Sequence, residues 1–253
     1  IQAIAVILRY QEEQPKGEPV LIICPTSLLN NWERELRRFA PSLNTLIFHG
    51  QGRRLSARGK DVVITTYATA RQDRARIQRR RWGLVILDEA QNIKNPETQQ
   101  TKAITGLKAG GFLALTGTPV ENRLRELWSI FQILLPGYFG TLKEFNDSYG
   151  IPIEKYNRED VTQRLQKAVA PFILRRMKTD ESIVPDLPAK IVEEEYCTLT
   201  KEQAALYQGV IDEMLARIEE TEGINRRGLV LKLLTSLKQI CNHPMQYTKQ
   251  GSA

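Results

Sequence analysis

A short apolar run that ends in two acids, Leu84 to Glu89, is the feature that most constrains the fold of this chain. The run LVIL shows no alternation of polar and apolar residues, which is typical of a strand buried on both faces in a parallel sheet. Asp88 and Glu89 follow at the end of the strand, where open α/β sheets bind their ligands. One carboxylate there can hold Mg²⁺, and its neighbour can activate a water that attacks phosphorus. Taken alone, such a pair more often marks an acidic, solvated turn.

Residues farther along the chain favour a site for Mg²⁺ and an attacking water over an acidic, solvated turn. A second apolar run, Phe112 to Leu115, is followed by Thr116, Gly117 and Thr118. DEAQ followed by LTGTP resembles the Walker-B and coupling motifs of superfamily-two helicases and translocases. The longer segments WGLVILDEAQNIKN, LTGTPVENRLRELWSIFQILLPG, PFILRRMKTD and LKQICNHP resemble the Swi/Snf family of DNA-stimulated ATPases in order and spacing, over nearly the whole chain.

The resemblance implies an α/β fold, with a RecA-like parallel sheet flanked by helices and then a mostly helical insertion. It also implies that the full-length protein uses ATP and Mg²⁺ to move along the minor groove of duplex DNA. Asp88 would hold Mg²⁺ and Glu89 would position or activate the attacking water, so both belong to the nucleotide site. Gln91, Thr116 and Thr118 would couple the state of the nucleotide to movement.

Further residues are candidates for contacts with DNA phosphates. CPTSLLNNWERELRRF and DVVITTY resemble the family's motifs Ia and Ib, and a helix N-terminus favours anions. The alternatives are that the first two candidates only cap a helix, and that the arginine-rich stretch 71–81 is a solvated helix face. The candidates are Thr26, Ser27, Thr65, Thr66, Arg71 and Lys94.

The pattern changes near Pro136 and Gly137, which predicts a RecA-like lobe over 1–136 and a helical protrusion and linker over 137–253. The linker would lead to a second RecA-like lobe, a partner within the same protein. In the resembling family a phosphate-binding loop lies just before the position of Ile1, whereas no GxxxxGKT or GxxxxGKS occurs here. Since the second lobe normally supplies an arginine finger, we expect this polypeptide alone to have negligible ATPase activity.

Apolar periodicity predicts the remaining elements. A capping-box pattern at Thr200 to Gln203 predicts the start of one helix, and Asn95 with Pro96 predicts the start of another. The family resemblance, rather than periodicity, implies a return strand within 186–196. Strands are predicted at 20–24, 43–49, 61–67 and 112–115, and helices at 1–10, 28–39, 95–108, 121–135, 141–149, 158–170, 200–222 and 225–242.

Charge and composition limit the partners. The net charge of +7 favours polyanions without identifying one. The three cysteines show no CxxC pairing, which excludes the usual zinc spacings and suits buried, inert thiols in a reducing compartment. No apolar run is long enough to span a membrane. The family resemblance implies duplex DNA, bound through its phosphate backbone, as the partner. A protein cargo stays unidentified, and no membrane is expected. The expected location is the cytoplasm, with the prokaryotic nucleoid, or the nucleus of a eukaryote.

Two other functions remain open. The missing phosphate loop favours a non-catalytic DNA-binding or protein-interaction module, whereas the DEAQ and TGT motifs favour an enzyme. An RNA helicase or restriction translocase of the same superfamily would share those motifs, but the Swi/Snf-like segments argue against it.

Overall fold

The computed structural model describes residues 1–15, 17–56, 59–117, 123–176 and 191–249. The chain divides into two compact units, 1–175 and 176–253. The first contains a parallel sheet flanked by helices, and the second contains helices from Lys201 onward. Within the described ranges, no helix has the length and apolar character needed to cross a membrane.

The sheet of the first unit consists of parallel strands whose carboxyl ends lie at one edge, here named the carboxyl edge. Its strands are β1 (Val20–Cys24), β2 (Thr45–Phe48), β3 (Val62–Thr66), β4 (Arg81–Asp88) and β5 (Lys108–Leu115). Among the described residues they lie in the order β2-β3-β1-β4-β5. In register, Cys24 pairs with Thr66 and Asp88 pairs with Leu115. The ends of β1, β3, β4 and β5 therefore come together, as the predicted RecA-like sheet requires.

The first unit contains helices on both faces of the sheet and further helices packed beyond α6. They are α1 (Gln2–Glu13), α2 (Leu29–Phe39), α3 (Tyr67–Gln72), α4 (Arg74–Gln78), α5 (Gln99–Thr105), α6 (Leu124–Leu134), α7 (Leu142–Phe145), α8 (Ile151–Tyr156) and α9 (Glu159–Val169). Successive residues of a strand point to opposite faces, so Ile22 packs with α1 and α2, whereas Ile23 packs in the cluster that includes α3 and α4. Both faces of β1 are buried, as its continuous apolar run predicts.

The predicted helix over 95–108 is too long at both ends. Thr98 caps α5 by accepting the N–H of Thr101, while the Asn95 side chain accepts the N–H of Glu97 in a turn outside the helix. β5 begins at Lys108, well before the predicted start at Phe112, because 108–111 pair with β4. Backbone pairing with a neighbouring strand thus extends a segment that has little apolar character of its own.

The short helices α7, α8 and α9 belong to the same compact unit as the sheet. Phe145 and Leu165 are buried against Leu127 and Phe131 of α6. The boundary between the compact units lies between Arg175 and Arg176, whereas the sequence predicted a division at 136/137. The change in sequence pattern marks a change of secondary structure, but the apolar faces of α7 to α9 pack on the first unit.

The second unit contains α10 (Lys201–Glu219), α11 (Gly223–Asn242) and α12 (Pro244–Thr248). The capping box predicted at Thr200 and Gln203 is present, with both reciprocal hydrogen bonds. Met214 of α10 and Leu233 of α11 share an apolar cluster. No strand forms in the described part of the predicted return strand, 191–196, and the rest of that prediction lies outside the described residues.

Candidate active site

Asp88, the last residue of β4, lies at the carboxyl edge and accepts hydrogen bonds on both carboxylate oxygens. Trp32 Nε1 of α2 donates to Oδ2 at 2.7 Å, and the Glu89 N–H donates to Oδ1 at 3.0 Å. The Tyr67 hydroxyl donates to the Asp88 carbonyl at 2.8 Å. Each carboxylate oxygen keeps a lone pair for one more partner. Asp88 is thus held by neutral donors, and it forms no ion pair with another described residue.

Glu89 begins a chain of hydrogen bonds that joins the ends of two strands. Gln91 Nε2 donates to Glu89 Oε2 at 2.7 Å, and Thr116 Oγ1, just after β5, donates to Gln91 Oε1 at 2.9 Å. Three of the residues predicted to act together are therefore brought together, and all three are half-buried. Thr118, the third of the coupling candidates, lies outside the described residues.

The backbone at Glu89 is left-handed, with φ 51° and ψ 56°. A non-glycine residue in this region is uncommon and carries strain that its surroundings must offset. Asn92 supplies the compensation, because both its N–H and its side-chain amide donate to the Glu89 carbonyl, at 3.0 and 2.9 Å. The turn directs the Glu89 side chain toward Gln91, at a position where strain is often associated with function.

The chemistry of these side chains fits a magnesium ion that arrives with a nucleotide. In the described part of the chain, no group of three or more His, Cys, Asp or Glu side chains could hold a metal ion. Mg²⁺ is commonly bound by only one or two carboxylates together with phosphate oxygens and water. Asp88 and Glu89 therefore suit a nucleotide-borne Mg²⁺ better than a self-contained metal centre.

The Cys24 thiol and the Tyr67 hydroxyl, which both interact with Asp88, are neutral at physiological pH. Burial, with a smaller contribution from the Asp88 charge, raises the pKa of the Cys24 thiol to about 12. Burial and Asp88 also raise the pKa of the Tyr67 hydroxyl. Cys24 is therefore inert, as predicted, but Cys197 and Cys241 are exposed, so the prediction of buried thiols is wrong for those two.

The hydroxyls of Thr26 and Ser27 are exposed at the carboxyl edge. Both residues belong to a 3-10 turn, Thr26–Leu28, that leads into α2. Neither this turn nor α2 has a side-chain cap, so the alternative that these hydroxyls are only caps is wrong. Within the described residues neither hydroxyl has a hydrogen-bond partner, which leaves both available to a ligand.

Thr65 and Thr66, at the end of β3, have the opposite environment. They are 0% and 1% exposed. The Thr65 hydroxyl donates to the Phe48 carbonyl at 2.8 Å, and Thr66 caps α3 by accepting the Thr69 N–H at 3.1 Å. A phosphate contact through these hydroxyls does not fit this arrangement, because the local sequence TTY supplies a buried strand end and a helix cap.

The two basic candidates also differ. Arg71 is exposed on α3 and makes no ion pair with another described residue. Lys94 is half-buried, and its Nζ lies 3.7 Å from Glu126 Oε1 of α6. Lys94 would therefore have to exchange a protein partner for a phosphate.

The arginine-rich stretch is partly engaged in structure. Asp73 pairs with Arg53 at 2.5 Å and with Arg76 at 3.2 Å. A concave surface of about 560 Å³ is lined by Arg53, Arg54, Leu55, Arg76, Arg79 and Arg80. The stretch is thus neither a simple solvated face nor a uniformly free basic patch.

Sequence reasoning placed Trp32 only on the apolar stripe of a helix. Its hydrogen bond to Asp88 crosses from α2 to β4, over 56 positions of sequence. Helical periodicity indicates that the ring is buried, but it gives no signal for the acceptor of the indole N–H.

Comparisons with known proteins agree with this geometry. A putative ATP-dependent helicase/translocase of Bacillus subtilis, YwqA, is 43% identical over 256 residues, which cover 99% of this chain and 28% of that protein. The TATA-binding protein-associated factor MOT1 of Saccharomyces cerevisiae is 34% identical over 254 residues, which cover 91% of this chain and 13% of that protein. The chain therefore spans under a third of the length of these relatives.

The solved Sulfolobus solfataricus SWI2/SNF2 ATPase core in complex with double-stranded DNA is also similar. It has a TM-score of 0.70 and 41% identity, covering all of this chain and 53% of that one. The SNF2-related domain family matches residues 1–246. With a parallel sheet whose acids and threonine meet at one edge, the chain belongs to the SNF2-related domain family.

Proposed function

We propose that this chain is the first RecA-like lobe of an ATP-dependent DNA translocase, which in the intact protein hydrolyses ATP with Mg²⁺ and moves along duplex DNA. The observation that carries the proposal is the hydrogen-bonded chain from Glu89 through Gln91 to Thr116. These hydrogen bonds join Glu89 of the proposed nucleotide site to Thr116, just after β5. A translocase needs such a link to couple the state of the nucleotide to movement.

In this proposal Asp88 holds the magnesium ion and Glu89 orients or deprotonates the attacking water. When bound, Mg²⁺ neutralises charge on the phosphate oxygens. Asp88 suits its role because its carboxylate is fixed by two neutral donors. Glu89 suits its role because it directly follows Asp88 at the carboxyl edge and Gln91 is hydrogen-bonded to only one of its carboxylate oxygens.

Gln91 acts as the coupling residue in this scheme. Its side-chain amide donates to Glu89 and its amide oxygen accepts from Thr116, so it cannot follow one partner without affecting the other. A displacement of Glu89 during the nucleotide cycle would therefore be transmitted to Thr116. Thr118 remains a predicted member of the same relay.

The DNA contact is proposed at the exposed part of the carboxyl edge. Thr26 and Ser27 offer free hydroxyls before α2, and Arg71 offers a free charge on α3. Such groups bind phosphates and carry no direct sequence information, so we propose binding without sequence choice. The similar solved core in complex with double-stranded DNA supports duplex DNA as the ligand. A second lobe as partner, and a location with the cell's DNA in the cytoplasm or nucleus, remain predictions.

The test is ATP hydrolysis by the intact protein with duplex DNA, single-stranded DNA, RNA or no nucleic acid. We expect duplex DNA to stimulate hydrolysis most. Stimulation by RNA alone would favour an RNA helicase. Absence of hydrolysis under all conditions, with DNA binding retained, would identify a non-catalytic DNA-binding module.

A further inference from the structure

We infer that Trp32 is a positioning residue that fixes the direction of the Asp88 carboxylate for the magnesium ion of a bound nucleotide. The inference deepens the proposed function and rests on it. Trp32 is only 9% exposed, and its indole N–H donates to Asp88 Oδ2 at 2.7 Å. A hydrogen bond from a neutral donor to a carboxylate at this distance is short and strong.

The two donors to Asp88 act together on the orientation of its carboxylate. Trp32 holds Oδ2 and the Glu89 N–H holds Oδ1. Rotation of the carboxylate about its bond to the Cβ atom would break both hydrogen bonds. The remaining lone pairs therefore keep a fixed direction, and donors of this kind behind a metal ligand commonly tune metal affinity.

The position of the indole is set by the body of α2. Leu29, Trp32 and Leu36 form one buried stripe of this helix and pack with Ile22 of β1 and Ile86 of β4. The ring therefore cannot follow the carboxylate if the latter turns away. The same helix begins directly after Thr26 and Ser27, so the element proposed to meet DNA also holds the proposed magnesium ligand.

The sequence offers two matched controls, because it contains three tryptophans. Trp82 Nε1 donates to the Ile77 carbonyl at 3.1 Å, and Trp128 Nε1 donates to the Gly140 carbonyl at 3.1 Å. All three indoles thus pack and donate a hydrogen bond, but Trp32 alone among them donates to a carboxylate. Replacement by phenylalanine removes the N–H and part of the ring in each case.

The experiment compares Trp32→Phe, Trp82→Phe and Trp128→Phe in the intact protein. Equilibrium binding of a fluorescent, non-hydrolysable ATP analogue is titrated with Mg²⁺. We expect Trp32→Phe to raise the Mg²⁺ concentration at half-saturation about tenfold, with binding in the absence of Mg²⁺ unchanged. The two controls should leave the Mg²⁺ requirement unchanged. An unchanged requirement in Trp32→Phe, or an equal shift in all three variants, would overturn the inference.

A replacement of closer shape covers the case in which Trp32→Phe does not fold. Benzothienylalanine at position 32 substitutes sulfur for the indole N–H and keeps the size of the ring, so the same shift in Mg²⁺ requirement is expected. If the wild-type protein shows no Mg²⁺-dependent nucleotide binding, the proposed function fails and takes the inference with it. If the wild type binds normally and the variants match it, only the role of Trp32 fails.

Discussion

Polar side chains in the two halves of the carboxyl edge differ in exposure and in hydrogen bonding. In the acidic half, at the ends of β4 and β5, Glu89, Gln91 and Thr116 bind one another and stay half-exposed. The hydroxyl half lies at the ends of β1 and β3. There, Thr26 and Ser27 are exposed and have no hydrogen-bond partner among the described residues, while Thr65 and Thr66 are buried and hydrogen-bonded within the fold.

The difference shows that position at a strand end does not by itself make a functional residue. A polar group that is buried and saturated stabilises the fold, because exposing it would cost its hydrogen bonds. A polar group that is exposed can bind a ligand directly, and one that is hydrogen-bonded only to other side chains of the site can exchange that partner for a ligand. Variants in the acidic half should therefore change the reaction, and variants in the hydroxyl half should change either stability or DNA affinity.

The largest expected effect is that of Glu89→Gln, which tests whether the acidic half performs chemistry. Glutamine keeps the size of the side chain and an oxygen that can accept from Gln91, but it cannot take a proton. We expect ATP hydrolysis by the intact protein to fall about a hundredfold or more. Nucleotide binding should be retained, as measured with a fluorescent ATP analogue.

Glu97→Gln is the matched control for that variant. Glu97 is exposed and pairs with Arg125 at 3.3 Å, away from the acid pair. Its replacement should leave both hydrolysis and nucleotide binding unchanged. Normal turnover by Glu89→Gln would remove Glu89 from its proposed role and weaken the contrast between the two halves.

The next effect tests whether the acidic half also transmits a signal. Thr116→Val removes the donor to Gln91 and leaves the amide oxygen without its partner, at a cost of about 1–3 kcal/mol. We expect the stimulation of hydrolysis by duplex DNA to fall about tenfold, with basal hydrolysis less affected. Gln91→Ala should have a similar effect, and the double variant should be no worse than either single one, because both remove the same relay.

Thr105→Val provides the control for that relay. The Thr105 hydroxyl donates to the Thr101 carbonyl at 2.9 Å inside α5, so its loss changes helix hydrogen bonding alone. DNA stimulation should be normal in this variant. Additive effects of Gln91→Ala and Thr116→Val would contradict a shared relay.

Much of the fold and the acidic half could be predicted from sequence, because each depends on local patterns. The apolar runs ending at Cys24 and Asp88 predicted buried parallel strands, and parallel pairing then brings the acids and Thr116 to one edge. The start of β5 at Lys108 could not be predicted, since 108–111 become a strand only through pairing with β4.

The hydroxyl half was harder to predict because exposure depends on tertiary packing. Thr26 and Thr66 both follow apolar strands and precede helices, and both were predicted as phosphate contacts, with helix capping as an alternative for Thr26 alone. Only the packing of α3 against the sheet buries Thr66 and uses it as a cap. The bond from Trp32 to Asp88 escaped prediction for the same reason, because it joins two elements that are distant in sequence.

A smaller effect separates stability from ligand binding within the hydroxyl half. Thr66→Ala removes the cap of α3, and we expect the free energy of unfolding to fall by about 1 kcal/mol, measured by urea denaturation. Thr98→Ala, which removes the comparable cap of α5, is the control and should cost a similar amount. DNA affinity should be retained in both variants. Weakened DNA binding with unchanged stability in Thr66→Ala would instead support the predicted phosphate contact.

The smallest effect is expected where the hydroxyls are exposed. Replacing both Thr26→Ala and Ser27→Ala should lower the affinity for duplex DNA about threefold, because each neutral hydrogen bond to a phosphate contributes little in water. Stability should be unchanged, since neither hydroxyl has a partner within the described residues. The salt dependence of DNA binding should also be unchanged in the double variant, because neutral groups release no counterions. Arg71→Ala removes a charge, so it should reduce the slope of log K against log salt by about one. If the double variant lost stability and kept its DNA affinity, the exposed pair would belong with Thr65 and Thr66, and the hydroxyl half would be structural throughout.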